Sequence, residues 1–228
     1  MKRVLFIDRD GTIVREAPPT YQLDSFEKVV FYPEAFQYLS RIASELDYEL
    51  VMVTNQDGLG TSSFPRERFE GPHRLLMQLL ESQGIRFDAV LICPHLPGDG
   101  CACRKPQTAM IDDYVAGNPI EPQRSFVVGD RETDLELARN LGIGAIRILK
   151  DGSDEFSWAA AARCLTQTAH RRAQVARRTK ETDIEVSVDL DAESPVVMAV
   201  QSWLAVADTG SKETTRMKVV GPPAASIE

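Results

Sequence analysis

The sequence predicts an α/β fold with a central parallel sheet. Three observations carry that expectation: short runs that are apolar throughout, longer stretches of helical spacing between them, and regular alternation of the two over residues 1–150. A strand apolar on both faces must be covered on both faces, and helical crossovers are what cover a parallel sheet, giving three layers.

Val4-Leu5-Phe6-Ile7 is the first strand and Leu50-Val51-Met52-Val53 the second. Ala89-Val90-Leu91-Ile92, Ser125-Phe126-Val127-Val128 and Ala145-Ile146-Arg147-Ile148 follow as the third, fourth and fifth. Helices are expected at 34–46, 66–83, 107–116 and 132–141. In the second of these, Leu75, Leu76, Leu79 and Leu80 sit at helical spacing and Gly84 marks the stop. Between the first strand and the second there is room for a flap and one helix, so no large cap domain is expected. Ligands of such sheets bind beyond the carboxyl ends of the strands, and chemistry is sought in the residues just after each one.

The 228 residues are 43% hydrophobic and 26% charged, which excludes a chain disordered throughout. Lys and Arg number 26 against 34 Asp and Glu, a net charge of −8 that argues against a nucleic-acid or membrane-surface partner. No apolar run approaches the length of a membrane span, and the start, MKRVLFIDRDGT, reaches Asp8 too soon for a signal-peptide core. A cytoplasmic protein is expected. Three of its four cysteines crowd into residues 93–103, which in a reducing compartment points to a metal before a disulfide.

The strand ends hold the residue types that phosphoryl chemistry requires. Asp8-Arg9-Asp10-Gly11-Thr12 follows the first strand, and its two carboxylates face one side if the chain stays extended. Thr54-Asn55 ends the second and offers a hydroxyl and an amide to phosphate oxygens. Gly129-Asp130-Arg131-Glu132-Thr133-Asp134 ends the fourth, and Lys105 supplies a cation. Convergent carboxylates repel unless a hard cation neutralises them, and oxygen-only ligands point to magnesium. A carboxylate held in this way can attack phosphorus and form an aspartyl-phosphate that water cleaves. Singly, an Asp after a strand is an ordinary cap or turn residue; the ordered set carries the reading. The spacing does not tell Asp8 from Asp10 as the nucleophile.

Cys93-x-His95-x5-Cys101-x-Cys103 offers three thiolates and an imidazole, the donor set of a closed, structural zinc site. Pro94, Pro97, Gly98 and Gly100 let so short a loop fold back, and zinc would shape the loop that carries Arg104 and Lys105 to phosphate. Cys164 reads as a packed small hydrophobe. His73 reads as a surface or core-satisfied histidine, and His170 offers no chemistry.

Asp8-x-Asp10-Gly11-Thr12, Thr54-Asn55, Lys105 and Gly129-Asp130-x-x-x-Asp134 resemble the four motifs of the haloacid dehalogenase (HAD) superfamily of phosphohydrolases. FIDRDGT, VTNQDGLGTSSFP, ICPHLPGDGCACRKP and VGDRETD more closely resemble histidinol-phosphate phosphatase domains of the bifunctional histidine-biosynthesis type, over roughly residues 1–150. The resemblance implies a Rossmann-like HAD fold with Asp8 as nucleophile and Asp10 as general acid, then base. It also implies magnesium on Asp8, Asp10 (through its main-chain carbonyl) and Asp130, with Asp134 in support. Thr54, Asn55, Lys105 and Arg104 would bind phosphate, and Cys93, His95, Cys101 and Cys103 zinc. The activity implied is hydrolysis of L-histidinol phosphate, a small-molecule phosphomonoester. A sugar-phosphate phosphatase of the heptose bisphosphate kind and a non-enzymatic zinc-stabilised binding module stay open as alternatives, and oligomeric state is left open.

After residue 150 the rhythm fails. Residues 154–170 read as one more helix. Arg171, Arg172, Arg177, Arg178 and Lys180 read as a solvated linker, and Thr182–Leu190 as one half-buried strand. Arg177–Ile184 resembles the opening strand of imidazoleglycerol-phosphate dehydratases, but their histidine-rich metal motifs do not appear, so dehydratase activity is not expected. The expected division is a phosphatase domain over 1–165, then a linker and an incomplete dehydratase-like segment over 166–228 with a disordered end.

Overall fold

The computed structural model describes residues 1–16, 18–149 and 156–168, and the strands within 172–220. Cα proximity divides the chain into two units, Met1–Thr166 and Gln167–Glu228.

The first unit holds a five-stranded sheet of β1 (Val4–Ile7), β2 (Glu49–Asn55), β3 (Ala89–Cys93), β4 (Phe126–Gly129) and β5 (Gly144–Arg147). Every pairing is parallel and the order is β3-β2-β1-β4-β5. The chain builds outward from β1 to β3, then returns to the other side of β1. This reversal leaves a crevice beyond the ends of β1 and β4, where ligands of open α/β sheets bind. Helices α1 (Ala35–Glu45), α2 (Arg66–Ser82), α3 (Ala109–Gly117), α4 (Glu132–Leu141) and all but the last two residues of α5 (Trp158–Thr168) complete the unit. All lie within a few residues of the spans expected from periodicity.

Alternation along β1 builds the layers. Leu5 and Ile7 pack in a cluster with Leu39 and Ile42 of α1, Leu76 and Leu80 of α2, and Trp158, Ala161, Ala162 and Leu165 of α5. Val4 and Phe6 point the other way, to Ile111 of α3 and Leu137 and Ala138 of α4. Both clusters are buried, so β1 is the most enclosed element and the residue leaving it is held firmly. Between β1 and β2 the chain forms a small flap, with bridges Asp10–Val14 and Val14–Phe31, and then α1. This is the small insertion that the spacing allowed.

The second unit differs from the sequence reading. The strand expected at 182–190 is present as β7 (Thr182–Asp189), but β6 (Arg172–Arg178), β8 (Val196–Trp203) and β9 (Thr214–Val220) join it. They form an antiparallel sheet in the order β6-β7-β8-β9. The basic stretch read as a linker is therefore strand β6 over most of its length. Val196–Trp203 lacks the alternation that marks a strand in sequence, and its pairing with β7 and β9 is what identifies it as one. The expectation of a disordered end, like the remarks on His170, lies outside the described residues.

Candidate active site

The ends of β1, β2 and β4 bring the motif residues to one place. Asp8 leaves β1 with its backbone N–H donating to Val128 O at 2.9 Å, and Asp130 follows β4 two residues further on. Lys105 arrives from the loop after β3. Its ammonium donates to Asp8 Oδ1 at 2.5 Å and to Asp134 Oδ1 at 2.7 Å, with all three residues buried. Thr12, also buried, donates to Asp8 Oδ2 at 3.3 Å. Carboxylate oxygens of Asp8, Asp130 and Asp134 lie within 4.8 Å of one another.

Two glycines make this convergence possible. A Cβ on Gly11, whose φ is +91°, would strike the Asp130 carboxylate, and one on Gly129 would overlap the Asp134 carboxyl. Asp134 sits in the first turn of α4 and reaches back, its Oδ2 accepting the Arg131 N–H at 3.0 Å. One of its oxygens thus begins the helix while the other holds Lys105. Asp8, Asp130 and Asp134 gather their carboxylate oxygens in one buried cluster, and this all-oxygen donor set fits magnesium.

Burial pushes the Asp8 carboxyl up to about 7; Lys105 opposes this, and Asp134 and Asp10 reinforce it. For Lys105, burial works against the charge, but Asp8 and Asp134 outweigh it and hold the ammonium above its ordinary range.

Asp10 is engaged differently. Arg9 Nε and Nη2 grip its two carboxylate oxygens at 2.9 and 2.7 Å, and Gln56 Nε2 donates to Oδ2 at 2.5 Å. Thr54 contacts the same oxygen at 3.5 Å and accepts from Gln56 at 2.7 Å. Asn55 turns its amide to the Lys105 backbone, accepting the N–H at 3.1 Å and donating to the carbonyl at 3.4 Å. Arg104 stands apart: it pairs with Asp57 at 2.9 Å and lines a neighbouring groove, not the cavity over Asp8. That cavity is lined by Asp8, Asp10, Asn55, Gln56, Lys105 and Arg131, among others.

The cysteine cluster meets the geometry of its expected metal. Sγ of Cys93 lies 3.7 Å from that of Cys101 and 3.2 Å from that of Cys103. His95 Nδ1 is 3.1 Å from Cys103 Sγ and 3.5 Å from Cys93 Sγ. Zinc bonds of ~2.0–2.3 Å give a tetrahedron with edges of roughly 3.4–3.8 Å, close to these separations. Burial raises the Cys93 thiol to about 12, with the Cys103 and Cys101 sulfurs adding to the effect against the His95 backbone, so a cation is what would release its proton. Two main-chain bonds, Gln56 N to Cys93 O at 2.7 Å and Gly58 N to Pro94 O at 3.0 Å, tie this loop to the turn after β2.

Sequence reasoning missed Arg9, Glu16 and Arg131 as site residues, and it carried Gln56 within the VTNQDGLGTSSFP stretch without a role at Asp10. Gln56 was detectable, since it stands two residues beyond Thr54 where the chain is still extended. Arg9 was not, because nothing local shows that a cation between two carboxylates turns inward. His73 is part-buried, as one of its two readings had it, with Nδ1 3.3 Å from Arg9 Nη1. Burial, with the nearby Arg9, lowers its pKa to about 4 and keeps the ring neutral.

Among the described residues no helix is long and apolar enough to cross a membrane. A family model described as HAD-hydrolase-like matches residues 102–178. The histidine biosynthesis bifunctional protein HisB of Baumannia cicadellinicola subsp. Homalodisca coagulata is 50% identical over 194 residues, which cover 85% of this chain and 53% of that protein. HisB of Bacteroides fragilis is 48% identical over 202 residues, covering 83% and 54%. The chain spans about half the length of these curated relatives. The crystal structure of a D,D-heptose 1,7-bisphosphate phosphatase from B. bronchiseptica, complexed with magnesium and phosphate, superposes with a TM-score of 0.60 at 28% identity. It covers 73% of this chain and 99% of that one. Fold and relatives agree: the chain is similar over most of its length to about half of the bifunctional protein HisB, and it is built on a HAD-like α/β core.

Proposed function

We propose that residues 1–165 form a cytoplasmic phosphomonoesterase that hydrolyses L-histidinol phosphate to L-histidinol and phosphate. The observation that carries the reading is the buried Asp8 carboxylate at the crevice, with the Lys105 ammonium 2.5 Å from it and Asp130 beside it. Asp8 attacks phosphorus, the bond from phosphorus to the histidinol oxygen breaks, and Asp10 gives that oxygen a proton. Asp10, now a carboxylate, takes a proton from water, whose oxygen attacks phosphorus and frees Asp8 and inorganic phosphate. Thr54, Asn55 and Lys105 would bind the phosphoryl oxygens. Asp8, Asp130 and the Asp10 main-chain carbonyl would hold magnesium, which when bound offsets charge on the phosphoryl oxygens. Cys93, His95, Cys101 and Cys103 would hold zinc and so fix the loop that delivers Lys105.

The HisB relatives support histidinol phosphate, and the heptose bisphosphate phosphatase supports a sugar phosphate. Charge in the cavity favours the first. Its cations are Lys105, shared by Asp8 and Asp134, and Arg131, paired with Glu16, which leaves little for a second phosphate group. The deciding experiment measures phosphate release from L-histidinol phosphate and from D,D-heptose 1,7-bisphosphate, with and without magnesium. Magnesium-dependent release from the first substrate is expected. Preference for the bisphosphate would transfer the assignment, and no release from either would favour a binding module.

A further inference from the structure

Arg9 is an unusual residue to enclose. It has no exposed surface, and burying a guanidinium is costly unless its partners are well placed. Every branch of the group is used. Nε and Nη2 take both oxygens of Asp10, Nη2 also meets Gln56 Oε1 at 2.9 Å, and Nη1 meets His73 Nδ1. Its Cζ lies 5.1 Å over the Phe69 ring, which stacks on His73 at 4.8 Å. Gln56 closes the ring of contacts by donating to Asp10 Oδ2. A two-pronged grip fixes the plane of a carboxylate as well as its place, which a single hydrogen bond cannot do. Among the described residues Asp10 is the one carboxylate ion-paired with Arg9.

We propose that Arg9, braced by Gln56, Phe69 and His73, is a positioning residue that aims the Asp10 carboxyl at the leaving-group oxygen. The inference rests on Asp10 being the general acid of a phosphatase. It is tested by kcat/KM for two esters, L-histidinol phosphate and p-nitrophenyl phosphate, since kcat/KM reads the steps up to release of the alcohol. An alkoxide needs a proton to leave and a nitrophenolate does not, so loss of aim should appear as a change in the ratio of the two values. For Arg9→Lys, which keeps charge but not the two-pronged grip, the ratio should fall about 100-fold, with the loss in kcat rather than KM. For Gln56→Met the fall should be about tenfold. Adding Arg9→Lys to Asp10→Asn should change the ratio no further. Equal losses on both esters, at any melting temperature, would make Arg9 a packing residue and overturn the proposal. Should Arg9→Lys fail to fold, the ratio in Gln56→Met decides. Wild-type protein that turns over neither ester would remove the phosphatase reading itself.

Discussion

Replacing the proposed nucleophile should make the metal-free protein more stable. Burial lifts Asp8 from 3.8 to about 7, with Lys105 opposing and Asp134 and Asp10 adding. Because the folded state binds this proton more tightly than the unfolded chain, the associated stability is complete below pH 3.8, declines as pH rises and is lost beyond about pH 7. At about 1.36 kcal/mol per pH unit, a displacement of about three units amounts to some 4 kcal/mol. Asn has the shape of Asp, carries no charge at any pH and still offers Lys105 an acceptor, while Asp134 keeps its ion pair. In magnesium-free buffer at pH 8, Asp8→Asn should therefore exceed wild type by up to about 4 kcal/mol, or roughly 10 °C in Tm. The gain should vanish toward pH 4. Thermal melts of the two proteins at matched pH measure the difference directly, and any loss of zinc in acid is common to both. A variant no more stable at pH 8, or a gap that stays constant with pH, would refute the reasoning. Phosphatase turnover in the same variant should drop by several orders of magnitude.

Three further outcomes follow from the geometry. Cys101→Ser should lose most of its zinc by elemental analysis and at least about tenfold in activity, because Lys105 sits just past the cluster. Gly129→Ala should cost about 1–3 kcal/mol in denaturant melts and reduce activity, since the added methyl overlaps the Asp134 carboxyl that holds Lys105. A chain ending at residue 168 should retain activity, whereas one ending at 149 should not fold. The shorter chain lacks Trp158, which is buried and donates its indole N–H to Thr12 O at 3.0 Å.

The parts legible in the sequence were those governed by local pattern. Val4–Ile7 is apolar at every position because both of its faces are covered, and the same logic marked β2 and β4. The strand-end rule then led to Asp8, Thr54 and Asp130 without coordinates. Other features depend on contacts between distant segments. The turn of Arg9 toward His73 spans 64 residues, and the bond from Trp158 to Thr12 spans 146. No window on the sequence holds both partners. Arg104 shows the converse, since its place next to Lys105 suggested a shared task, yet neighbouring side chains on an irregular loop diverge and it faces Asp57. Strands β8 and β9 were missed because hydrogen-bonded pairing, not alternation, identifies them.

The paired bonds between the Asn55 amide and the Lys105 main chain act as one more rung on the ladder of β2 and β3. A loop residue 50 positions away in the chain is thereby registered against the sheet as a strand residue would be. The rung joins β2 to the loop after β3, and the ammonium of the same loop residue meets Asp8, 97 positions upstream, at the end of β1. The pocket therefore depends on β1, β2 and the loop after β3 being in place together. No half-assembled form of the sheet would have a working fraction of it.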